Sequence, residues 1–317
     1  MRKTALLVTF VLASSMAMAL KKEPGYLDAR RNGAEAKLEI FVADNDGTAV
    51  SNASVKVFMG MNFRAKGYWI EGDTNEKGVF VVQGKTCGDE IVIHASKEGF
   101  YNSRLKLCFA EMGAEREVKN GKWLPYGTVE TLRLRKIINP ITLNCFGFGA
   151  GKDVPVTNMW IGVDMEQGDF VSPHGKGKQE DFEIKVEWDG RTPPRSDYCM
   201  LALRFSGEMA GGYYANKVAE SEYPYVYAAD IHGRYDIRNL EVVGRDKDRR
   251  ESAAVFRQDS VFVTRSRCIV DEEGNLKSAC YGFIRLIRVD AGWDGRPTMR
   301  LAGVFNPTPN DPNLEPR

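Results

Sequence analysis

The sequence alternates short β-rich segments with turn residues along almost its whole length. Polar and apolar residues alternate over residues 37–42 and 53–58, and the turn sequence Asp-Asn-Asp-Gly at 44–47 lies between these two segments. A period of two is that of a half-buried strand, while clusters of Gly, Asn and Asp favour turns. The pattern therefore predicts an all-β fold.

The chain is long enough for two domains, because 317 residues exceed what one β-sandwich usually needs. A break is expected at residues 137–140, since the proline at 140 cannot donate to a strand ladder. We expect two antiparallel β-sandwich domains at 36–138 and 141–305, the second of sandwich or jelly-roll type, and an extended proline-rich tail at 306–317. The strands are expected at 37–42, 53–58, 78–82, 90–95, 103–109, 128–136, 158–164, 181–188, 198–205, 223–229, 261–270, 278–289 and 299–305, with a hint of helix at 247–257.

The first residues have the composition of a secretory signal. Arg2 and Lys3 precede an apolar segment at 4–13, and the Ala-Met-Ala sequence at 17–19 matches the A-x-A cleavage pattern. We expect cleavage before Leu20, which removes residues 1–19, and export to the periplasm or out of the cell. The apolar segment is shorter than the roughly 18 to 20 residues that cross a bilayer, so no membrane insertion is expected.

The net charge of the mature chain is close to zero. Removal of the signal leaves 42 basic and 43 acidic side chains, a formal charge of −1. This balance gives no electrostatic reason to expect a nucleic-acid partner.

Six cysteines in an exported chain favour disulfide bonds over free thiols. One pair lies symmetrically about Gly274, as facing residues of a hairpin would, and a second pair flanks a turn near 97–102. The three expected pairs are Cys268 with Cys280, Cys87 with Cys108, and Cys145 with Cys199 by exclusion. The sequence has no C-x-x-C or H-x-x-x-H spacing, so no metal site and no cofactor are expected.

Four segments of the first half resemble a known domain in their order and spacing. They are DGTAV at 46–50, NASVKV at 52–57, TNEKGVF at 74–80 and KEGFY at 97–101, and they resemble the carboxypeptidase regulatory-like domain, a transthyretin-like β-sandwich. The resemblance covers residues 36–136 and implies that Ala53, Val55, Val57 and Phe80 fill the core. The whole chain is similar to exported bacterial proteins without an assigned activity.

The family's name does not make the chain a peptidase. A zinc carboxypeptidase needs an H-x-x-E pair and a distant third histidine. None of the histidines at 94, 174 and 232 is followed by glutamate at the third position. The resemblance therefore implies a fold and no catalytic residue.

Three tyrosines of the second half suggest a binding surface. Tyr223, Tyr225 and Tyr227 alternate along the expected strand at 223–229, so a period of two puts them on one face. A flat apolar ring with a polar hydroxyl suits stacking on a sugar or anchoring a protein partner. We expect a ligand-binding row if that face is exposed, and a core-facing row if it is buried.

The alternative function is that of a secreted carbohydrate-active hydrolase. Asp164, Glu166 and Asp169 are close in sequence to His174, and two carboxylates can divide the acid and base roles of glycoside hydrolysis if they lie about 5 to 9.5 Å apart. Acidic residues at the end of a strand are more often simply exposed. Two further carboxylates that could take part are Glu187 and Asp189.

These features together predict an exported, non-catalytic binding or structural protein of the bacterial envelope. The expected partner is a glycan or an envelope protein.

Overall fold

The computed structural model describes residues 24–60, 67–88, 90–108, 118–148, 151–188, 198–218, 220–246, 260–291 and 296–317. Within these ranges the chain forms strands, turns and loops with a single helix, so the all-β prediction is confirmed. The expected signal at 1–19 and the expected helix at 247–257 lie outside the described residues. The chain divides into two compact units, Met1–Lys136 and Ile137–Arg317.

The first unit is built from one helix and short strands in its described part. Its elements are α1 Pro24–Asn32, β1 Ala34–Ala43, β2 Ser54–Met59, β3 Tyr68–Asp73, β4 Val79–Thr86, β5 Glu90–Ser96, β6 Phe100–Tyr101, β7 Ser103–Cys108, β8 Val118–Lys119, β9 Lys122–Trp123, β10 Thr128–Arg133 and β11 Arg135–Lys136.

Two sheets form the body of the first unit. In one sheet β1 is central, pairing with β4 antiparallel and with β10 and β9 parallel, and β8 pairs with β9. The parallel pairs depart from the antiparallel arrangement expected from the sequence. The other sheet has the order β3-β2-β5-β7 and is wholly antiparallel, while β6 and β11 form a separate pair.

The core of the first unit follows the period of two. Alternate residues of β1 are fully buried, and Ala53, Val55 and Val57 are likewise inaccessible to solvent. Phe80 packs against this core while partly buried. The four core positions implied by the resemblance are thus confirmed as core or core-contacting residues.

The second unit consists of strands and loops in its described part. Its strands are β12 Asn144–Gly147, β13 Lys152–Asp153, β14 Ile161–Asp164, β15 Asp169–Phe170, β16 Phe182–Trp188, β17 Tyr198–Arg204, β18 Gly211–Asn216, β19 Asn239–Asp246, β20 Ser260–Val270, β21 Leu276–Ala291 and β22 Pro297–Asn306. They form one sheet of order β12-β22-β21-β20-β18, with β13 beside β22, and another of order β15-β14-β16-β17-β19.

The larger sheet of this unit is buried on both faces along β20. Phe262 belongs to the core shared with the other sheet, whereas Val261 and Val263 belong to a second cluster with Tyr281 and Phe283. A strand covered on both sides needs apolar residues at consecutive positions, not alternate ones. The run Val-Phe-Val at 261–263 meets that need.

The second cluster is covered by two segments that we expected to be elsewhere. Residues 223–229 were predicted as a strand, but they form a loop whose regular pairing is a single bridge between Ala228 and Asn313. Residues 306–317 were predicted as an extended tail, but Leu314 is fully buried in this cluster. Both predictions are wrong, because the face of β20 and β21 that carries Val261, Val263, Tyr281 and Phe283 is apolar and these two segments cover it.

A buried carboxylate holds the C-terminal segment in place. The backbone N–H groups of Ile138 and Asn139 donate to the two carboxylate oxygens of Glu315 at 2.9 and 2.6 Å. The Glu315 carbonyl also accepts from the N–H of Ile141 at 2.9 Å, and the Leu314 N–H donates to the Tyr227 carbonyl. Glu315 is only 1% exposed, so the segment is part of the folded unit.

We expect the Glu315→Ala substitution to lower the free energy of unfolding by about 2–3 kcal/mol. The substitution removes the charged acceptor of two backbone N–H groups, and hydrogen bonds to charged groups are the stronger class. Urea unfolding followed by tryptophan fluorescence measures the change. Glu272→Ala, at an exposed hairpin turn, is the control and should change stability by no more than about 0.5 kcal/mol. Equal effects of the two substitutions would contradict a stabilising role for Glu315.

Candidate functional site

One face of the β3-β2-β5-β7 sheet points away from the core of the first unit. Side chains alternate between the two faces of a strand, and Val55, Val57 and Met59 of β2 are fully buried. Lys56 and Phe58, which lie between them, therefore point outward. We call this side of the sheet the outer face.

A row of charged and polar residues crosses the outer face. Lys56 of β2 is paired in register with Glu71 of β3 on one side and with His94 of β5 on the other. His94 is in turn paired with Arg104 of β7. The row therefore runs Glu71, Lys56, His94 and Arg104, one residue on each strand.

An exposed tryptophan lies next to this row. Trp69 of β3 is 47% exposed, and its ring centroid lies 5.1 Å from that of Phe58 and 5.5 Å from that of His94. Since β2 separates β3 from β5 in the sheet, the indole reaches across β2 to contact His94. The result is an aromatic platform of Trp69, Phe58 and His94 on the outer face.

Tyr68, the residue before Trp69, holds strand β3 in place. The hydroxyl of Tyr68 donates to the Lys85 carbonyl and accepts from the Lys85 N–H, both at 3.0 Å. These two bonds tie β3 to β4. Trp69 therefore projects from a fixed strand, which limits the entropy that it would lose on contact with a ligand.

A groove with a polar lining begins at the platform. A cavity of about 350 Å³ is lined by Trp69 and His94 at one end and by Ser54, Ser96 and Asn102 further along. A second cavity of about 580 Å³ shares those last three residues and continues beyond them. The two cavities therefore form one continuous groove, aromatic at one end, lined by hydroxyl and amide groups in the middle, and bordered by Lys97 and Glu98 at the other end.

The charges of the row are unequally balanced. Lys56 and Glu71 form an ion pair at 3.2 Å with both side chains about half exposed. In the part of the chain that the structure describes, no ion pair joins the exposed Arg104 to a carboxylate. Burial, with the nearby positive charge of Arg104, holds the pKa of His94 below its ordinary value. His94 is thus neutral near pH 7, beside an uncompensated guanidinium.

The tyrosines predicted as a binding row lie in the second unit and do not share an exposed strand face. Tyr223 is 4% exposed, and its hydroxyl lies within hydrogen-bond distance of the backbone carbonyls of Val226 and Leu314. The ring of Tyr225 lies 4.5 Å from that of Phe283 in the second cluster. Tyr227 is partly buried. The condition that we set for a binding row, one exposed strand face, is not met.

Two of the proposed hydrolase carboxylates lie in a structural ion-pair cluster instead. Arg267 donates to Asp164 at 3.0 Å, to Asp181 at 3.0 and 3.1 Å, and also to Glu166. We call these four residues the Arg267 cluster. Burial would raise the pKa of Asp164, but four backbone N–H groups and Arg267 outweigh it, so its pKa is lowered. Such a carboxylate is a poor general acid.

The other candidate residues of the hydrolase also form ion pairs or hydrogen bonds within the chain. Asp169 is paired with Lys152 and accepts from the backbone N–H groups of Phe170 and Lys176. The N–H of His174 donates to the Val171 carbonyl. Glu187 forms an ion pair with Lys185, and Asp189 lies outside the described residues.

The three expected disulfide pairs stay predictions. Cys87, Cys145, Cys268 and Cys280 have free thiols in the structure, and the side chain of Cys108 lies outside the described residues. A bulge in β20 between Ser266 and Ile269 displaces Cys268 from the position that faces Cys280. Cys145 is exposed, whereas Cys199 lies in the core.

Sequence reasoning missed the platform because Trp69 lies between the expected strands at 53–58 and 78–82, where no element was predicted. The signal was present, since Tyr68, Trp69 and Ile70 are consecutive residues with high β propensity.

No helix among the described residues is long and apolar enough to span a membrane. Among the same residues, no group of three or more His, Cys, Asp and Glu side chains is arranged to hold a metal ion.

Comparison with known proteins gives only remote structural likenesses. No family model and no curated protein matches the chain, so the resemblance to a carboxypeptidase regulatory-like domain stays a prediction. The 3-chlorocatechol 1,2-dioxygenase of Rhodococcus opacus is similar over 34% of this chain and 62% of its own, with 11% identity and a TM-score of 0.26. The catechol 1,2-dioxygenase of Acinetobacter radioresistens matches over 34% and 54%, with 12% identity and a TM-score of 0.28.

A third likeness covers more of the chain. The shaft pilin SpaA of Lactobacillus rhamnosus GG is similar over 75% of this chain and 89% of its own, with 10% identity and a TM-score of 0.22. The matched regions span little more than half the length of the two dioxygenases. At TM-scores this low none of the three likenesses supports a function, and the candidate site is argued from its own geometry.

Proposed function

We propose that this chain is an exported, non-catalytic glycan-binding protein of the bacterial envelope, and that the outer face with its groove is the binding surface. The observation that carries the proposal is the exposed Trp69, whose ring contacts both Phe58 and His94. Export is supported by the signal-like sequence at 1–19.

The chemistry of the groove suits a sugar better than an apolar ligand. The face of an aromatic ring is electron-rich and attracts the polarised C–H groups on one face of a sugar ring. A few polar groups beside an apolar surface then fix the orientation of the ligand. Here Ser54, Ser96 and Asn102 line the groove next to the platform and can exchange hydrogen bonds with sugar hydroxyls.

We expect the Trp69→Ala substitution to weaken glycan binding at least tenfold, or about 1.4 kcal/mol. Truncating a tryptophan at the centre of a binding surface commonly costs more than that. A glycan array identifies a ligand for the mature protein, and titration calorimetry then compares the variants. A cooperative unfolding transition only a few degrees below that of the unmodified protein, expected because Trp69 is half exposed, shows that the fold is intact.

The control for this experiment is Tyr227→Ala, which also tests the tyrosine row predicted from the sequence. We expect this variant to bind as the unmodified protein does. Binding that is lost in Tyr227→Ala and kept in Trp69→Ala would place the site in the second unit and contradict the proposal. A protein that binds no glycan on the array would contradict it as well.

A further inference from the structure

We infer that the glycan bound in this groove carries a carboxylate, and that Arg104 and His94 recognise that group. The inference rests on the proposed glycan-binding function and adds the chemical class of the ligand. It concerns the end of the groove at which the aromatic platform meets the charged row.

The register of the strands puts the two residues beside the platform. Trp69 contacts His94 directly, and Arg104 occupies the next strand at the paired position. Neighbouring strands lie about 4.7–4.9 Å apart. A sugar ring that stacks on Trp69 therefore has one edge at His94, and a substituent on that edge comes within reach of Arg104.

The charge distribution favours an anionic substituent. Of the two cations in the row, Lys56 is already neutralised by Glu71, whereas the exposed Arg104 has no carboxylate partner among the described residues. A guanidinium presents a planar fork of donors that matches a carboxylate with two parallel hydrogen bonds. Arg104 thus offers a specific site for a carboxylate, while Lys56 does not.

Other charges near the groove do not cancel this preference. The Lys97 ammonium donates to the Ser51 carbonyl at 2.6 Å, so it is held at the far end of the groove. Glu98 lies at that same end. The groups that face His94 are Lys56 and Glu71 from β2 and β3, and Arg104 from β7.

The position of His94 makes the recognition dependent on pH. In the free protein, burial and Arg104 keep the pKa of His94 below its ordinary value. A carboxylate bound next to the ring favours its charged form and raises that pKa. Binding then takes up a proton, so affinity for an acidic glycan should rise as the pH falls from 8 to 5.

The test compares two probes that differ only in charge. Titration calorimetry measures the affinity of the mature protein for tri-galacturonic acid and for the same trisaccharide with its carboxyl groups reduced to alcohols. We expect at least a tenfold preference for the acid. The Arg104→Gln variant should reduce that ratio at least tenfold, whereas Arg133→Gln, an exposed arginine on the other sheet, should leave it unchanged. The His94→Gln variant should remove the pH dependence of the preference.

The outcomes separate the two proposals. If both probes bind equally and Trp69→Ala weakens both, the groove binds glycans but the carboxylate inference is wrong. If Arg104→Gln keeps the full preference for the acid, the inference is wrong although the preference is real. If neither probe nor any other glycan binds, the proposed function fails and the inference fails with it.

Discussion

Replacing Arg267 with methionine is expected to lower the free energy of unfolding by about 3–5 kcal/mol, the usual cost of leaving buried charges without their partner. Arg267 is the shared partner of three carboxylates, and the side chains of Asp181 and Asp164 are 0% and 2% exposed. The methionine fills a similar volume but leaves both buried carboxylates without a counter-charge. Urea unfolding at pH 7.5 measures the change.

The backbone conformation at Arg267 explains how one side chain reaches three carboxylates. β20 has a bulge between Ser266 and Ile269, and Arg267 within it has a φ of 51°, in the left-handed region. A bulge redirects a side chain that would otherwise follow the alternation of the strand. Here it aims the guanidinium at the β14–β15 hairpin, 4.7 Å from the centre of the Phe305 ring.

The cost of the Arg267→Met substitution should shrink as the pH falls from 8 to 5. Burial raises the pKa of Asp181 even beside Arg267, and loss of the arginine raises it further. A carboxyl group whose folded pKa is above its unfolded value destabilises the protein at high pH, and protonation relieves this as the pH falls. Asp164 contributes only below this range, because its pKa is lowered in the unmodified protein and the stability that this gives is lost only as the pH falls below the ordinary carboxyl range of about 4.

The control for Arg267→Met is Arg204→Met, which removes an arginine that is 39% exposed and paired with Glu183. The Glu183 side chain is 15% exposed, so this ion pair is partly open to solvent, and we expect a cost well below that at Arg267, with little dependence on pH. Similar costs for the two arginines, or a cost at Arg267 that grows as the pH falls, would contradict the role assigned to the cluster.

Local patterns in the sequence predicted the parts of the fold that depend on local physics. Val55 and Val57 alternate with polar residues because only one face of β2 is buried, and period two finds such strands directly. The positive φ values of Gly47 and Gly78, 80° and 73°, are also local requirements of their turns.

The errors concern segments whose partners are distant in sequence. Tyr223 is buried because its hydroxyl bonds to Leu314, 91 residues away, and Glu315 binds a backbone N–H that is 177 residues away. The sequence pattern predicted a strand for the first segment and an extended tail for the last, since no nearby residue indicates the cover that β20 and β21 need. The candidate site was missed for a related reason, because the platform exists only once β3, β2 and β5 are adjacent.

The Trp123→Ala substitution is expected to be the most damaging change in the first unit, lowering the free energy of unfolding by about 3–5 kcal/mol. Trp123 is 1% exposed although it lies on the two-residue strand β9. Its ring meets that of Tyr26 of α1 edge to face at 5.9 Å, and its indole N–H donates to the buried Thr86 carbonyl at 2.9 Å. The substitution therefore creates a cavity and leaves a buried acceptor unpaired.

The Trp69→Ala variant is a matched control, because it makes the same chemical change at a tryptophan that is 47% exposed. We expect it to cost about 1 kcal/mol or less. Hydrogen exchange should also distinguish the two: the amide of Gly33, which bonds to the Ala29 carbonyl at 2.9 Å at the end of α1, should exchange faster in Trp123→Ala alone. A loss of stability at Trp123 no larger than at Trp69 would mean that the helix and β9 are held by other contacts. The burial of each indole thus predicts different roles: the buried Trp123 stabilises the first unit, and the exposed Trp69 binds the ligand.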